Sequence, residues 1–202
     1  MSTTRRHVLA GLAAATLAGP ALASDAVTLD DINAYLNGLT TAEGRFTQVD
    51  ADGVTSTGQI WIKRPGRMRF NYDPPVEAMV IAGGGALAVF DPRSDTPSRY
   101  PLRQTPLWLL LERNVDLAGS ETLAGFVSDE SSATLRAQDP DYAEYGFIDL
   151  TFAGSPLALR QWVIHDGAGG QTTVTLDTLE TGGRVPNRLF NLIAEQEAWA
   201  ER

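Results

Sequence analysis

The sequence predicts a mainly-β domain built on one curved antiparallel sheet, and three observations carry that prediction. Period-two alternation of β-branched and aromatic residues recurs along the chain, clearest in Gln59–Lys63 and Arg67–Tyr72. The connections between such runs are short turns rich in Gly, Pro and Asp, namely Asp50–Gly53, Arg64–Gly66, Asp73–Pro75 and Gly83–Gly85. Links this short suit antiparallel neighbours and leave no room for crossover helices.

Taken in order, the chain opens its folded part with a helix over Leu29–Leu39. Thr28 is placed as N-cap, Asp31 stands in the first turn, and Leu29, Ile32, Leu36 and Leu39 recur at helical spacing. Strands are expected near 42–49, 54–63, 67–72, 77–82, 86–91 and 98–103. Thr105-Pro106 then opens a second helix as cap and first-turn proline, followed by the apolar run Leu107, Trp108, Leu110 and Leu111. Strands resume near 122–129, 133–138, 145–152, 157–166 and 171–180, and an Ala/Glu-rich tail from Asn187 ends the chain with helical character. Regular strands without intervening helices argue for one sheet rather than an α/β fold.

Residues 1–23 read as a signal peptide. Thr4 to Leu9 has a twin-arginine pattern, and the apolar run Val8–Ala18 is too short to span about 30 Å of hydrocarbon. Ala21-Leu22-Ala23 is a small-x-small cleavage site. Residues 24–202 then form a single domain expected in the periplasm. Without Arg5 and Arg6 its formal charge moves from −9 to −11. A chain this acidic is poorly matched to nucleic acid. It contains no cysteine, which excludes disulfides and a lipid-modified N-terminal cysteine alike.

The positive charge that remains is concentrated. Lys63, Arg64, Arg67 and Arg69 lie within seven positions around the Pro65-Gly66 turn. Arg64 shares the parity of Ile60 and Ile62 and is therefore expected to point towards the apolar face.

Catalytic arrangements are sparse. Beyond the signal segment the chain has one histidine, His165, too few for a familiar zinc site, and Gly154-Ser155-Pro156 is a hairpin turn rather than a nucleophile elbow. The acids Asp50, Asp52, Asp139 and Asp141 fall in turns, where Asx chemistry accounts for them. No catalytic residue, metal or cofactor is assigned.

Four segments carry a resemblance to a known family. Trp61-Ile62-Lys63-Arg64-Pro65, with its following aromatic strand and Asp73-Pro74-Pro75 turn, resembles the periplasmic outer-membrane lipoprotein carrier (LolA) family. Phe46-Thr47-Gln48, Val80 to Pro92 and Thr105 to Asn114 are similar to further family segments in the same order. The resemblance implies an incomplete, unclosed antiparallel β-barrel with a helical lid over an apolar cavity for acyl chains.

It implies roles residue by residue. Ile60, Ile62, Met68 and Phe70 would line the cavity. Leu107, Trp108, Leu110 and Leu111 would form the lid's plug, and Arg64 would latch it through carbonyls at the end of the lid helix. Lys63, Arg67 and Arg69 are expected as a docking surface. The partners implied are acylated lipoproteins, an inner-membrane lipoprotein-releasing ABC transporter and an outer-membrane acceptor, with the carrier a monomer. Two alternatives stand beside this reading: a periplasmic lipid- or protein-sensing regulator on the same scaffold, and an acid-dependent hydrolase.

Overall fold

The structure, a computed structural model, describes residues 26–201. The signal-peptide assignment lies outside the described residues. Eleven strands form one antiparallel sheet: β1 (Thr41–Val49), β2 (Thr55–Lys63), β3 (Arg67–Tyr72), β4 (Met79–Gly83), β5 (Ala86–Phe90), β6 (Ser98–Pro101), β7 (Leu123–Ser128), β8 (Ser132–Ala137), β9 (Gly146–Ala153), β10 (Ala158–Asp166) and β11 (Gln171–Thr181). Three α-helices accompany them: α1 (Leu29–Gly38), α2 (Trp108–Leu111) and α3 (Leu192–Ala200).

The spatial order β6-β5-β4-β3-β2-β1-β11-β10-β9-β8-β7 describes two meanders joined where β1 pairs with β11. The edges β6 and β7 remain open, so the barrel is incomplete. Each hairpin follows from its turn. In the β1–β2 turn, Asp50 Oδ1 accepts the N–H groups of Asp52 and Val54 at 3.0 and 2.8 Å, and Gly53 takes φ 78°.

Helix α1 begins with a capping box. Thr28 Oγ1 accepts from Asp31 N–H at 3.2 Å, and Asp31 Oδ2 accepts from Thr28 N–H at 2.9 Å. Its Ile32 and Leu36 are fully buried against the concave face of the sheet. Two asparagines on α1 reach further. Asn37 exchanges hydrogen bonds with the backbone of Val115 at 2.8 and 2.9 Å, and Asn33 Oδ1 accepts from Leu117 N–H at 3.0 Å. The segment leaving α2 is thereby fixed to α1.

The apolar residues divide between the two faces. A large cluster on the concave side joins α1, α2 and most strands. A smaller one on the convex side joins Met79, Ile81, Ala88 and Phe90 to Leu192 and Trp199 of the C-terminal segment. Phe90 and Trp199 meet edge to face with centroids 5.4 Å apart. Gly83 permits this closure, because a Cβ there would lie 2.6 Å from the carbonyl oxygen of Phe190. Among the described residues no helix is long and apolar enough to cross a membrane.

Candidate functional site

Strands β2 and β3 place the four expected lining residues on one face. Their register sets Ile60 opposite Phe70 and Ile62 opposite Met68. All four are at most 5% exposed. Phe70 meets Phe46 edge to face at 5.2 Å and Trp162 at 6.1 Å. Leu107, Leu109, Leu110 and Leu111 belong to the same cluster. The concave face is thus filled by side chains, with the short lid packed into it.

The lid helix is one turn, shorter than the expected Pro106–Leu111 segment. Pro106 comes before it, and Leu107 is its N-cap. A single turn has little helix of its own to stabilise it, so burial of its leucines must hold it. The expected plug residues all pack against this cluster, Trp108 from its margin, and Leu109 joins them. Leu109 is buried, whereas Trp108 is only half-buried and lies beneath the Arg103 guanidinium, 4.6 Å from its ring centroid. Three consecutive leucines can all be buried here because concave-face residues surround the turn on more than one side, which spacing alone did not reveal.

Arg64 is half-buried between the two helices. Its Nη2 donates to the carbonyl of Glu112, immediately after α2, and its Nη1 donates weakly at 3.5 Å to the carbonyl of Leu39, the C-cap of α1. The Gly66 N–H adds a bond to Leu111 O at 2.8 Å. Burial holds the Arg64 guanidinium below its ordinary pKa, with the nearby Glu112 charge opposing that shift. Its Nε has no partner among the described residues. One side chain therefore touches the ends of both helical covers, where carbonyls left over from the helices accept hydrogen bonds.

Of the three cations expected as a docking surface, Lys63 and Arg67 are partly exposed and Arg69 is not. Arg69 is only 7% exposed. It pairs with Glu195 of α3 at 2.6 Å and donates to Leu189 O at 3.0 Å and to Asn71 Oδ1 at 2.7 Å. Lys63 Nζ donates to Val185 O at 2.7 Å, and Arg67 Nη1 to Asn187 Oδ1 at 3.1 Å. All three lie on the convex side, and the folded-back C-terminal segment accepts at least one hydrogen bond from each. A tail more than a hundred residues downstream supplies those partners, so local sequence could not reveal them.

Sequence reasoning also missed Asn33 and Asn37. Two asparagines at i, i+4 inside an amphipathic helix are a usable signal, since asparagine is poorly suited to helix interiors unless its amide has another task.

Outside the lid, one polar cluster stands on β8–β10. Asp149 accepts from Arg136 at 2.7 and 2.8 Å and lies 3.2 Å from His165 Nε2. The hydrogen bond from Arg136 is the main reason its carboxyl sits below the usual range. His165 stacks on Phe147 at 4.2 Å. This is a cross-strand ladder over β8, β9 and β10. Among the described residues no group of three or more His, Asp or Glu could hold a metal ion.

Comparison with known proteins settles the family. Residues 37–193 match the model of the outer membrane lipoprotein carrier protein LolA family. The chain belongs to that family. It is 28% identical to the outer-membrane lipoprotein carrier protein of Chromohalobacter salexigens, covering 87% of this chain and 88% of the relative. It is 25% identical to the protein of that name from Ralstonia nicotianae, covering 96% and 95%. The counterpart from Alkalilimnicola ehrlichii is 38% identical over a stretch covering 36% of each chain.

Proposed function

We propose that this LolA-family chain is a periplasmic carrier that binds the acyl chains of lipoproteins and moves them from the inner towards the outer membrane. Arg64 is the latch of its lid. The observation that carries the proposal is the apolar concave face, covered by two short helices whose C-terminal carbonyls meet one arginine. The family's curated members are named for the same cargo.

Energetics favour a cavity that is filled before loading. Burying one CH₂ contributes about 0.8 kcal/mol, so three long acyl chains would total roughly 30 kcal/mol. Non-covalent affinity saturates near 20 kcal/mol, and a carrier must also release its load. A lid whose leucines are already dry offsets part of the gain, because their burial is lost as acyl burial is won. The arginine bonds at the lid contribute about 1.5–3 kcal/mol each at most. That is enough to keep the lid closed and small enough for cargo to reverse. Release would take place inside a complex with the transporter or an acceptor, since acyl chains freed into water would regain the full cost. Nothing in this scheme requires catalysis.

The test uses the absence of cysteine. Asn114→Cys supplies a unique labelling position beside the lid, and a fluorophore there reports its environment. Addition of a tripalmitoylated peptide should change the signal of the wild-type protein saturably. The Arg64→Leu variant should start in the shifted state and lose transfer to an acceptor. If Arg64→Leu matches the wild type in both signal and transfer, the latch is wrong. If no acylated peptide binds, the carrier reading fails.

A further inference from the structure

A pocket of about 180 Å³ lies against the lid segment, with Leu109 as the one lid leucine in its wall. The lid segment forms one wall through Arg103, Gln104 and Trp108, and Thr122, Gln138 and Tyr142 stand across from it. At ~30 Å³ per water, the space equals about six waters. That is below the ~300 Å³ at which pockets for drug-sized ligands begin.

Its chemistry differs from that of the concave face. Trp108 and Tyr142 offer flat ring surfaces, while Gln104, Ser120, Thr122 and Gln138 offer amides and hydroxyls. Part of that polar capacity is unused. The Gln104 amide and Gln138 Oε1 have no hydrogen-bond partner among the described residues, and Gln138 Nε2 makes only a long 3.4 Å bond to Ala143 O. The rim carries charges of both signs, Arg103 against Glu112 and Asp139, with one negative charge in excess and no cationic surplus to draw an acidic segment. An acyl chain would leave these amides dry and unpaired, at a cost of roughly 1–3 kcal/mol each. A neutral peptide presents N–H and C=O groups that match them.

Position adds a second argument. Glu112, whose carbonyl receives Arg64, lines this pocket and also a broader groove of about 460 Å³ on the latch side. Arg103 and Trp108 line both as well, so the two hollows are neighbours on the lid segment. A chain lying in them would run along the outside of the segment whose inside plugs the acyl site.

We propose that this pocket binds the first uncharged residues of the cargo polypeptide, immediately after its acylated N-terminal cysteine. The proposal rests on the carrier reading and deepens it. The acyl chains displace the inner side of the lid, while the peptide that must leave the cavity is held against the outer side. Binding there stabilises the loaded position of α2 without adding apolar burial, so affinity for cargo exceeds affinity for the same lipid alone.

Two probes separate the contributions: tripalmitoyl-Cys-Ser-Gly-Ser amide and tripalmitoyl-Cys amide, each measured by displacement of a fluorescent acyl probe from the full mature chain. Wild type should bind the peptide-bearing probe about tenfold more tightly, which is roughly 1.4 kcal/mol. Gln138→Ala and, separately, Gln104→Ala should abolish that preference while leaving affinity for tripalmitoyl-Cys amide and the melting temperature unchanged. Equal binding of both probes by wild type overturns the pocket and leaves the carrier reading intact. Retention of the preference in both variants also overturns it. Failure of wild type to bind either probe removes the carrier reading and the pocket with it.

Discussion

The lid and the C-terminal strap are both short segments laid across one sheet, yet they are held in opposite ways. The lid, from Leu102 to Leu111, lies on the concave face through leucine side chains and a few hydrogen bonds at its end. The strap, from Val185 to Ala200, lies on the convex face through a buried ion pair, two further cation contacts and the Phe90–Trp199 pair. One hairpin feeds both. Ile60, Ile62, Met68 and Phe70 of the concave cluster have even numbers, whereas Lys63, Arg67 and Arg69 are odd, and the β2–β3 register sends the two sets to opposite faces, with Arg64 in the turn between them. The difference teaches that permanence here is encoded in polar ties. Apolar burial can be exchanged for other apolar burial, such as an acyl chain. A buried charge has no such substitute once its partner leaves.

The largest expected effect breaks the strap. Arg69→Ala strands Glu195 at the edge of the convex cluster and removes the bond to Leu189 O. Removing one partner of a buried pair costs about 3–5 kcal/mol, and because Glu195 is a quarter exposed the loss should fall near 3 kcal/mol. Urea denaturation measures it, and hydrogen exchange should accelerate in α3 but not in α2. The double variant Arg69→Met, Glu195→Leu should recover most of the stability. Failure to recover would mean the pair is not the main tie.

An alkaline titration should loosen the concave side first. Tyr72 packs on Phe46 at 5.1 Å and donates to Gln48 Oε1 at 2.7 Å. Burial pushes its hydroxyl up to about 12 from an ordinary 10. A raised pKa means the folded state holds its proton more tightly. The resulting stabilisation is fully present below pH ~10 and is lost as pH rises towards ~12. Its size is on the order of 2–3 kcal/mol. Tyr72→Phe should flatten the decline in stability over that window, read by denaturation at each pH. An unchanged slope would assign the alkaline loss elsewhere.

Latch and strap separate again at Arg64. Arg64→Leu should cost about 1–2 kcal/mol, because it removes charge-assisted bonds but also relieves a partly desolvated cation. Exchange should quicken at Gly66, whose N–H is bonded to Leu111 O, and leave α3 protected. Lys63→Met should be the mildest of the series, near 1 kcal/mol, and should loosen only the strap around Val185.

Eleven strands and the first helix with its Thr28 cap were legible in the chain, because alternation and turn chemistry are local properties. The shared face of β2 and β3 was legible for the same reason: period two assigns Ile60, Ile62, Met68 and Phe70 to one side. The extent of the lid was less so. Leu107 to Leu111 has no period to read, and how deeply Leu109 and Trp108 are buried depends on surfaces contributed by distant strands.

By itself, then, the sequence determined the elements, their turns and the sorting of cations by parity, since each rests on neighbours within a few residues. Only the tertiary structure decided what those cations meet. The pairing of β1 with β11 joins the two halves of the sheet across some 130 residues, and the return of the tail over β3–β5 buries Arg69 and gives Lys63 and Arg67 hydrogen-bond partners. The physical reason is that a charged side chain carries its cost of burial wherever it stands, while the partner that offsets the cost is supplied by whichever distant segment packs there.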